Sequence, residues 1–283
     1  MKNQEKIFVI GHKNPDTDSI CSAIAYCDIK NRTTQESRYI PKRAGQINEE
    51  TEYVLNRFGV HPPGYLSNIG TQVKDMDIRL SPEANKSMSL KNAWDLMQEN
   101  SIVSLPIREK DGTLEGLITI GDIAKTYMDT TDSYLLSRAR TQYQRIAETI
   151  GGKVIEGNAH GYFIQGLKLA HEKDIVIISS PYDTFTISRL INQSIPVKYI
   201  MKTDNLVTFN TEDFTDDIQE VMIKHRHRAF PVINKKGKCI GTISRRNFLD
   251  MHRKKVVLVD HNEKDQAVDN IDKADIMEII DHH

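Results

Sequence analysis

Residues 7–20 read IFVIGHKNPDTDSI, and this stretch near the start of the chain decides the fold. It opens on an uninterrupted apolar run, the pattern of a parallel strand buried on both faces. A polar loop follows, in which Pro15 restricts Asn14 to an extended or turn conformation. The next segment has helical spacing of its apolar residues, and we expect Asp18 or Ser19 to cap that helix. The stretch therefore predicts a strand, a polar loop and a helix.

Two runs near the other end of the chain finish in similar chemistry. KKVVLVDHN covers residues 254–262 and DIMEIIDHH covers residues 275–283. Because the carboxyl ends of parallel strands meet at one edge of a sheet, we expect these Asp and His side chains to lie near the first loop. Structural hydrogen bonds are the alternative interpretation. Imidazole nitrogen with carboxylate oxygen suits Mn²⁺, Co²⁺ or Mg²⁺, and a pair of such ions suits in-line attack on a phosphoanhydride.

An internal repeat with an offset of about 125 residues lies between these runs. Met97 aligns with Met222, Pro106 with Pro231, and Gly116 with Gly241. The apolar pattern of each copy predicts a β-α-β-β-α unit that ends in a helix. Between the copies we predict a helix over 134–150, a break at the Gly pair 151–152 and a strand over 174–180.

Composition excludes some classes of function. The 38 Lys and Arg residues nearly cancel the 39 Asp and Glu residues, so no global field attracts nucleic acid or an anionic membrane. The apolar run 7–10 is too short for a signal peptide or a membrane span, which predicts a cytoplasmic protein. Cys21, Cys27 and Cys239 lack C-x-x-C spacing, so we expect neither a disulfide framework nor a zinc cluster.

The motifs carry a resemblance to known families. In order, GHKNPDTDSI, VDHN and the terminal DHH resemble the first three motifs of the DHH phosphoesterases. Residues 41–60, PKRAGQINEETEYVLNRFGV, look like the manganese-dependent family II inorganic pyrophosphatases rather than the exonuclease or oligonucleotide-degrading branches. The two repeats resemble CBS modules, and SSPYDTFTISRLINQSIPVKYIM resembles the end of a DRTGG domain.

The resemblance implies a fold class and a division into domains. The fold class is α/β, a partial parallel-sheet DHH domain interrupted by a pair of β-α-β-β-α CBS modules. The implied boundaries are 1–70 for the first part of the DHH domain, 71–130 and 197–254 for the CBS modules, 131–196 for an abbreviated DRTGG-like linker and 255–283 for the DHH continuation. A C-terminal substrate-binding domain with its Lys and Arg clamps is expected to be missing, which would leave activity weak or absent.

The resemblance also implies roles for single residues. His12 and Asp16 would bind one metal ion, Asp18 and His282 the other, and Asp260 would bridge them. His283 would contact the phosphate of the substrate, so that Asp260 and His283 are the expected catalytic residues. The implied cofactors are two Mn²⁺ or Co²⁺ ions per site, with Mg²⁺ on the substrate.

In CBS pairs that bind nucleotides, a hydroxyl residue is followed three positions later by an acid or an amide. Thr119 with Asp122, and Ser244 with Asn247, have this spacing, and Arg228 is a candidate phosphate contact. The alternative is that these residues only cap helices, as they do in CBS modules that bind nothing. We do not expect the basic run 224–228 to bind nucleic acid. Its other interpretation is the solvated end of a helix.

The implied function is metal-dependent hydrolysis of inorganic pyrophosphate to phosphate, regulated by AMP, ADP, ATP or a related nucleotide bound to the CBS pair. Two alternatives remain open at this point, a catalytically incomplete nucleotide-sensing protein derived from that enzyme and a DHH phosphodiesterase. A homodimer is the resemblance-based expectation for the assembly.

Overall fold

The computed structural model describes residues 6–35, 37–128, 139, 141–155, 172–173, 175–249 and 251–282. The α-helices within these residues are α1 (Thr17–Thr34), α2 (Glu49–Phe58), α3 (Leu90–Glu99), α4 (Ile120–Met128), α5 (Tyr143–Thr149), α6 (Thr184–Gln193) and α7 (Thr215–Lys224). The strands are β1 (Ile7–Ile10), β2 (Tyr39–Arg43), β3 (Gly64–Tyr65), β4 (Arg79–Leu80), β5 (Ser104–Arg108), β6 (Leu114–Thr119), β7 (Lys153–Val154), β8 (Ile178–Ser179), β9 (Phe209–Asn210), β10 (Phe230–Ile233), β11 (Cys239–Ile243), β12 (Lys255–Val259) and β13 (Asp275–Ile280). Among the described helices, none has the length and hydropathy to span a membrane.

The chain divides into two compact units. The first unit comprises Met1–Asp77, Glu212–His225 and Arg246–His283, and the second comprises Ile78–Thr211 and Arg226–Arg245. The sequence repeat places α7 in the second CBS copy, but the contacts group this helix with the first unit. The first unit therefore carries all three runs that end in Asp and His, together with the root of the inserted segment.

A parallel sheet organises the first unit, in the order β13-β12-β1-β2-β3. β1 pairs in parallel with β12, from Ile7 opposite Lys255 to Ile10 opposite Leu258, and β12 pairs in parallel with β13. The predicted parallel arrangement of these three runs is confirmed. Their carboxyl ends consequently lie side by side, and this places the polar residues that follow each strand at one edge of the sheet.

Both faces of the central strands are buried, because successive side chains of a strand point to opposite faces. One face packs on α1 through Val9, Ala23, Cys27 and Val257. The other face packs on the segment after β12 through Ile10, Leu258, Val268 and Ile271. The edge strand β13 is different, since each of its residues is exposed.

A polar contact joins α1 to this edge strand. The hydroxyl of Tyr26 donates to Glu278 Oε2 at 2.5 Å, and Lys30 Nζ donates to Glu278 Oε1 at 3.0 Å. These bonds lower the pKa of the Glu278 carboxyl, and burial together with the Glu278 contact raises the pKa of Tyr26 to about 12. The contact thus favours the ionised form of Glu278.

We expect Glu278→Gln to lower the free energy of unfolding by about 0.5 to 1 kcal/mol at neutral pH, since solvent screens an exposed pair. A folded-state pKa below the unfolded value means that this stability is present above the ordinary pKa of 4.5 and is lost as pH falls below it. Urea unfolding at several pH values measures the difference. Asp275→Asn, on the same strand, is the matched control, and an equal loss in it, or a difference that grows in acid, would contradict the prediction.

The second unit shows how the two repeats fit together. β4, in the first part of the first CBS module, pairs with β11 of the second, with Leu80 opposite Gly241. Reciprocally, Lys202, which precedes the helix of the second repeat, pairs with Leu117 on β6 of the first. A Cβ on Gly241 would lie 2.3 Å from Arg79 O, and a Cβ on Gly116 would lie 2.9 Å from Lys202 O. Gly116 and Gly241 therefore both leave room for backbone from the other repeat to approach closely.

Three predicted elements differ from the structure. The second repeat ends in a short 3-10 turn, Arg245–Phe248, instead of an α-helix. The predicted helix 134–150 is observed only as α5, and its residues 134–138 and 140 lie outside the described residues. The predicted strand 174–180 is reduced to β8, and Asp174 lies outside the described residues.

Candidate metal centre

The loop between β1 and α1 is packed too tightly for larger residues. A Cβ on Gly11 would lie 1.8 Å from the Oγ of Ser19, which is 1% exposed. A Cβ on Gly45 would lie 2.1 Å from the carbonyl oxygen of Lys13. The amide of Lys13 also donates to Gln266 O at 2.7 Å. These contacts hold His12, between Gly11 and Lys13, in a defined place.

Asp16, rather than Asp18 or Ser19, caps α1, so the sequence-based prediction of the cap was wrong. Asp16 has extended backbone angles, and its Oδ1 accepts a hydrogen bond from the amide of Ser19 at 2.9 Å. The physical reason is that Pro15 keeps the preceding backbone extended, which leaves Asp16 as the last non-helical residue. Asp18 falls in the first turn, and its Oδ1 accepts from Ser22 Oγ at 3.0 Å.

His12, Asp16 and Asp260 form one group of potential metal ligands. His12 Nε2 lies 3.3 Å from Asp260 Oδ2 and 3.7 Å from Asp16 Oδ1. One donor atom from each residue lies within 4.8 Å of the others. The three donors come from the loop after β1, the cap of α1 and the residue after β12.

Asp18, Asp260 and His282 form a second group with the same spacing. His282 Nδ1 lies 3.5 Å from Asp260 Oδ1, and His282 Nε2 lies 3.9 Å from Asp18 Oδ2. Asp260 belongs to both groups and offers a different oxygen to each. The structure therefore brings together all five residues predicted as metal ligands, while His283 lies outside the described residues.

Asp260 is the most constrained residue of the centre. It is 8% exposed, and its φ of 61° lies in the left-handed region, which costs a non-glycine residue about 1 to 3 kcal/mol. Burial raises the pKa of the Asp260 carboxyl, and the nearby carboxylates of Asp18 and Asp16 raise it further. Asp260 thus combines a strained backbone with a buried carboxylate that lies close to other negative charges, a combination that is typical of functional positions.

Neighbouring polar groups orient the ligands. Asn262 Nδ2 donates to Asp281 Oδ2 at 2.7 Å, and Asp281 Oδ1 accepts from the amide of His282 at 2.9 Å. The sequence interpretation gave no role to His261, which is 2% exposed and lies against His12 with ring centroids 6.4 Å apart. Its Nδ1 lies 3.0 Å from Val259 O, and burial lowers the pKa of its imidazole. The feature of the sequence that could have identified His261 is its position directly after Asp260, a predicted ligand.

A cavity of about 410 Å³ in the second unit is lined by two of the predicted nucleotide-binding residues, Thr119 and Arg228. Thr119, Gly121, Lys202 and Arg228 are among the residues that line it. Asp122 Oδ2 accepts from Thr119 Oγ1 at 2.6 Å and from the Thr119 amide at 2.9 Å, while Asp122 Oδ1 lies 3.3 Å from Lys202 Nζ. Thr119 and Asp122 thus form a capping box at the start of α4, in which the Asp122 amide donates to Thr119 Oγ1 at 3.2 Å. The cavity is lined by the hydroxyls of Ser104 and Thr119 and by the cations Lys202, Arg226 and Arg228.

The other predicted pair is divided between the two units. Ser244 belongs to the second unit and Asn247 to the first, where Asn247 Nδ2 donates to Asp77 O at 2.6 Å. Their role in nucleotide binding therefore stays a prediction.

Comparison with known proteins identifies the family. The profile described as "DHH family, N-terminal domain" matches residues 6–283. The chain belongs to the DHH family. The sequence-based recognition of a DHH domain is confirmed.

Two curated relatives resemble this DHH chain along its whole length. The cobalt-dependent inorganic pyrophosphatase of Clostridium perfringens (strain 13 / Type A) is 34% identical over 335 aligned residues, 99% of this chain and 61% of that protein. The probable manganese-dependent inorganic pyrophosphatase of Thermotoga maritima is 30% identical over 338 aligned residues, 100% of this chain and 61% of that protein. The chain thus spans about three fifths of the length of these relatives.

A solved structure resembles the part inserted into the DHH domain. The CBS and DRTGG domains of the regulatory region of Clostridium perfringens pyrophosphatase, complexed with the activator diadenosine tetraphosphate, match with a TM-score of 0.55 and 26% identity. The match covers 62% of this chain and 100% of that one. The predicted fold class, a DHH domain interrupted by a CBS pair, is confirmed.

Proposed function

We propose that this protein hydrolyses inorganic pyrophosphate to phosphate with two Mn²⁺ or Co²⁺ ions, and that adenine nucleotides bound to the CBS pair regulate it. The observation that carries the proposal is the pair of ligand groups that share Asp260. The names of the curated relatives support the substrate and the metals, and they favour a pyrophosphatase over a DHH phosphodiesterase.

The residues of the centre fit divalent ions of this kind. Three carboxylates and two imidazoles converge, which are the ligand types that suit Mn²⁺ or Co²⁺ better than a thiolate-binding metal. His12 and Asp16 would hold one ion and Asp18 and His282 the other, with one oxygen of Asp260 for each. When bound, such ions neutralise charge on a phosphoryl group and lower the pKa of water.

The protein's own contribution is to fix these ligands in advance. The cap bond of Asp16 and the tight packing at Gly11 limit movement of the first group. The bonds among Asn262, Asp281 and the His282 backbone do the same for the second. Such supporting bonds typically contribute 10- to 100-fold to metal affinity or activity. His283 as a contact to the substrate phosphate, with Mg²⁺ on the substrate, is part of the proposal.

The direct test is phosphate release from magnesium pyrophosphate, measured with Mn²⁺ or Co²⁺ and with or without AMP and ATP. We expect turnover that requires the metal and that changes with nucleotide. Nucleotide binding without any turnover would instead favour the catalytically incomplete sensor. A substrate panel that includes cyclic dinucleotides and short oligonucleotides tests the phosphodiesterase alternative.

The cavity at Thr119 supports the regulatory part of the proposal. Three cations, Lys202, Arg226 and Arg228, line a space of about 410 Å³ together with the Thr119 hydroxyl, and this volume is within the size range of small-molecule sites. Phosphate groups would neutralise the cations. The structural relative is a regulatory region complexed with a diadenosine nucleotide, which supports an adenine nucleotide as the ligand class.

We expect Arg228→Gln to weaken adenine-nucleotide binding about tenfold, because a charge-assisted hydrogen bond to phosphate is lost. Isothermal titration calorimetry with AMP and ATP measures the change. Lys110→Gln, at an exposed turn of the same unit, is the control and should bind as the unaltered chain does. Equal affinity in Arg228→Gln and Lys110→Gln would place the nucleotide elsewhere.

A chain of hydrogen bonds inside the first unit offers a route for regulation. The amide of Thr215, at the start of α7, donates to Thr71 O at 3.0 Å, and the amide of Ile69 donates to Asp269 O at 2.9 Å. The neighbouring Gln266 accepts from Lys13 beside His12. The route therefore runs from a helix of the second CBS repeat to the metal loop, and Lys273 strengthens it through a salt bridge to Asp216 on α7.

We expect Lys273→Gln to reduce the effect of nucleotide on turnover by about threefold or more, while nucleotide affinity stays within twofold, because coupling residues contribute about 0.5 to 2 kcal/mol. Turnover measured across a nucleotide titration separates the two quantities. Lys236→Gln, in an exposed turn of the second unit, is the control. An unchanged nucleotide effect would exclude this route.

A homodimer and a cytoplasmic location complete the proposal. CBS pairs and this pyrophosphatase family commonly self-associate, and nothing in the charge balance directs the chain to a membrane surface. Light scattering of the purified chain and cell fractionation test the two statements.

A further inference from the structure

A large basic cleft lies in the first unit, apart from the metal centre. Its volume is about 1040 Å³. The cations that line it are Lys6, Lys42, Lys74, Arg253, Lys254 and Lys255, against the single carboxylate of Asp75. The whole chain carries a formal net charge of −1, so this concentration of positive charge is a local feature and does not follow from composition.

Three of these cations have no acidic partner in the part of the chain that the structure describes. Lys74 pairs with Glu212 at 2.8 Å and Lys254 with Asp75 at 3.1 Å. Among the residues that the structure describes, Lys6, Lys42 and Arg253 form no ion pair, and Lys42 Nζ lies 5.8 Å from the ring centroid of Phe8. Like charges gathered in this way repel one another, and an anion between them would relieve the repulsion.

The floor of the cleft is apolar. Phe8, Ile40 and Leu66 are half-buried there, and Tyr65 stands at its margin, 53% exposed. Apolar walls lower the local dielectric constant and strengthen the attraction between the cations and a bound anion. A deep space with a few convergent charges is typical of a small-ligand site.

Among the described residues, the cleft and the metal centre have no residue in common. Lys6 and Lys255 stand at the amino ends of β1 and β12, whereas His12 and Asp260 follow their carboxyl ends. Lys42 extends the cleft towards the carboxyl edge, since it lies opposite Ile10, the last residue of β1. The cations of the cleft belong to neither ligand group, so a ligand that they hold would be distinct from a substrate at the metals.

We propose that this cleft binds a ligand with an oligophosphate chain, either a free inorganic oligophosphate or a nucleoside triphosphate. The three cations without ion pairs meet the phosphates over the apolar floor. A bound chain would also compete with Asp75 for Lys254 and with Glu212 for Lys74. Both lysines belong to the root of the inserted segment, where Lys254 Nζ donates to Gly70 O at 2.8 Å.

The test is calorimetry on the full chain in EDTA, so that no divalent ion recruits phosphate to the metal centre. Inorganic triphosphate and ATP are titrated separately. The double variant Lys42→Gln, Arg253→Gln removes two cations of the cleft. We expect the affinity of the cleft for inorganic triphosphate or for ATP, whichever binds there, to fall about tenfold or more. In the titration this loss affects one class of site. Arg228→Gln should leave that class of site intact. The ligand that shows the loss identifies the source of the oligophosphate.

Lys264→Gln is the control for the loss of positive charge. It removes a charge from the same unit outside the cleft and should leave binding unchanged. Lys6→Gln with Arg253→Gln, at two exposed positions, repeats the test if Lys42→Gln perturbs folding. Unchanged affinity in both double variants, or an equal loss in Lys264→Gln, would overturn the proposal. Because no substrate turnover is measured, this outcome is independent of the proposed pyrophosphatase activity.

Discussion

Asp260→Asn is expected to lower the affinity of the chain for Mn²⁺ at least about 100-fold and to abolish metal-dependent phosphate release. Asp260 contributes an oxygen to both ligand groups, and loss of even a supporting partner costs 10- to 100-fold. Asparagine is the appropriate replacement, because it also tolerates the left-handed backbone that Asp260 adopts with φ 61°. The measurement is a calorimetric Mn²⁺ titration.

Asp265→Asn is the matched control for this prediction. Asp265 lies on an exposed turn of the same unit and belongs to neither ligand group. It should bind Mn²⁺ as the unaltered chain does. Retention of two tight Mn²⁺ ions by Asp260→Asn would contradict the assignment of a shared ligand.

Gly241→Ala is expected to destabilise the second unit by about 2 to 3 kcal/mol, through overpacking. The added Cβ would lie 2.3 Å from Arg79 O and 3.0 Å from Ile78 Cγ2. The first contact is with backbone, which no rotamer change can relieve, so β4 must move away from β11. Thermal unfolding followed by circular dichroism measures the loss.

Gly121→Ala serves as the control for the glycine prediction. A Cβ there meets only Thr119 Oγ1, at 3.5 Å, which is an ordinary contact. Alanine also favours the helix that Gly121 occupies. Equal melting temperatures of Gly241→Ala and Gly121→Ala would show that the approach of β4 does not constrain position 241.

The parallel sheet, and the edge of it that carries the candidate metal ligands, could be predicted from the sequence. A continuous apolar run marks a strand buried on both faces, and a run that ends in Asp and His leaves those side chains at the carboxyl edge. β1 and β12 obey this rule, although about 245 residues separate them in the chain. β13 joins them in parallel and ends in the same chemistry, but each of its residues is exposed. The gathering of His12, Asp16, Asp18, Asp260 and His282 follows from that topology.

Other features depend on tertiary contacts that local patterns do not encode. The exchange of β4 and Lys202 between the two repeats appears in sequence only as a glycine at 116 and at 241. The second repeat has the same pattern as the first, yet the segment after β11 closes as a 3-10 turn where the segment after β6 forms α4. The cap of α1 was assigned to the wrong residue because residues 16–19 are four polar residues in succession, each of a type that caps helices.

The basic cleft also escaped sequence reasoning. Its cations come from four separate parts of the chain, around positions 6, 42, 74 and 254. The basic run 253–255 supplies three of them, but only the sheet and the root of the insertion bring this run together with Lys6, Lys42 and Lys74. The neutral balance of the whole sequence conceals it further.

Anomalous scattering at the manganese edge, from crystals of the chain grown with Mn²⁺, tests the shared-ligand metal centre. We expect two peaks at the carboxyl edge of the sheet, one at His12, Asp16 and Asp260 and the other at Asp18, Asp260 and His282. A single peak, or peaks that do not share Asp260, would contradict the two-metal centre on which the proposed function rests.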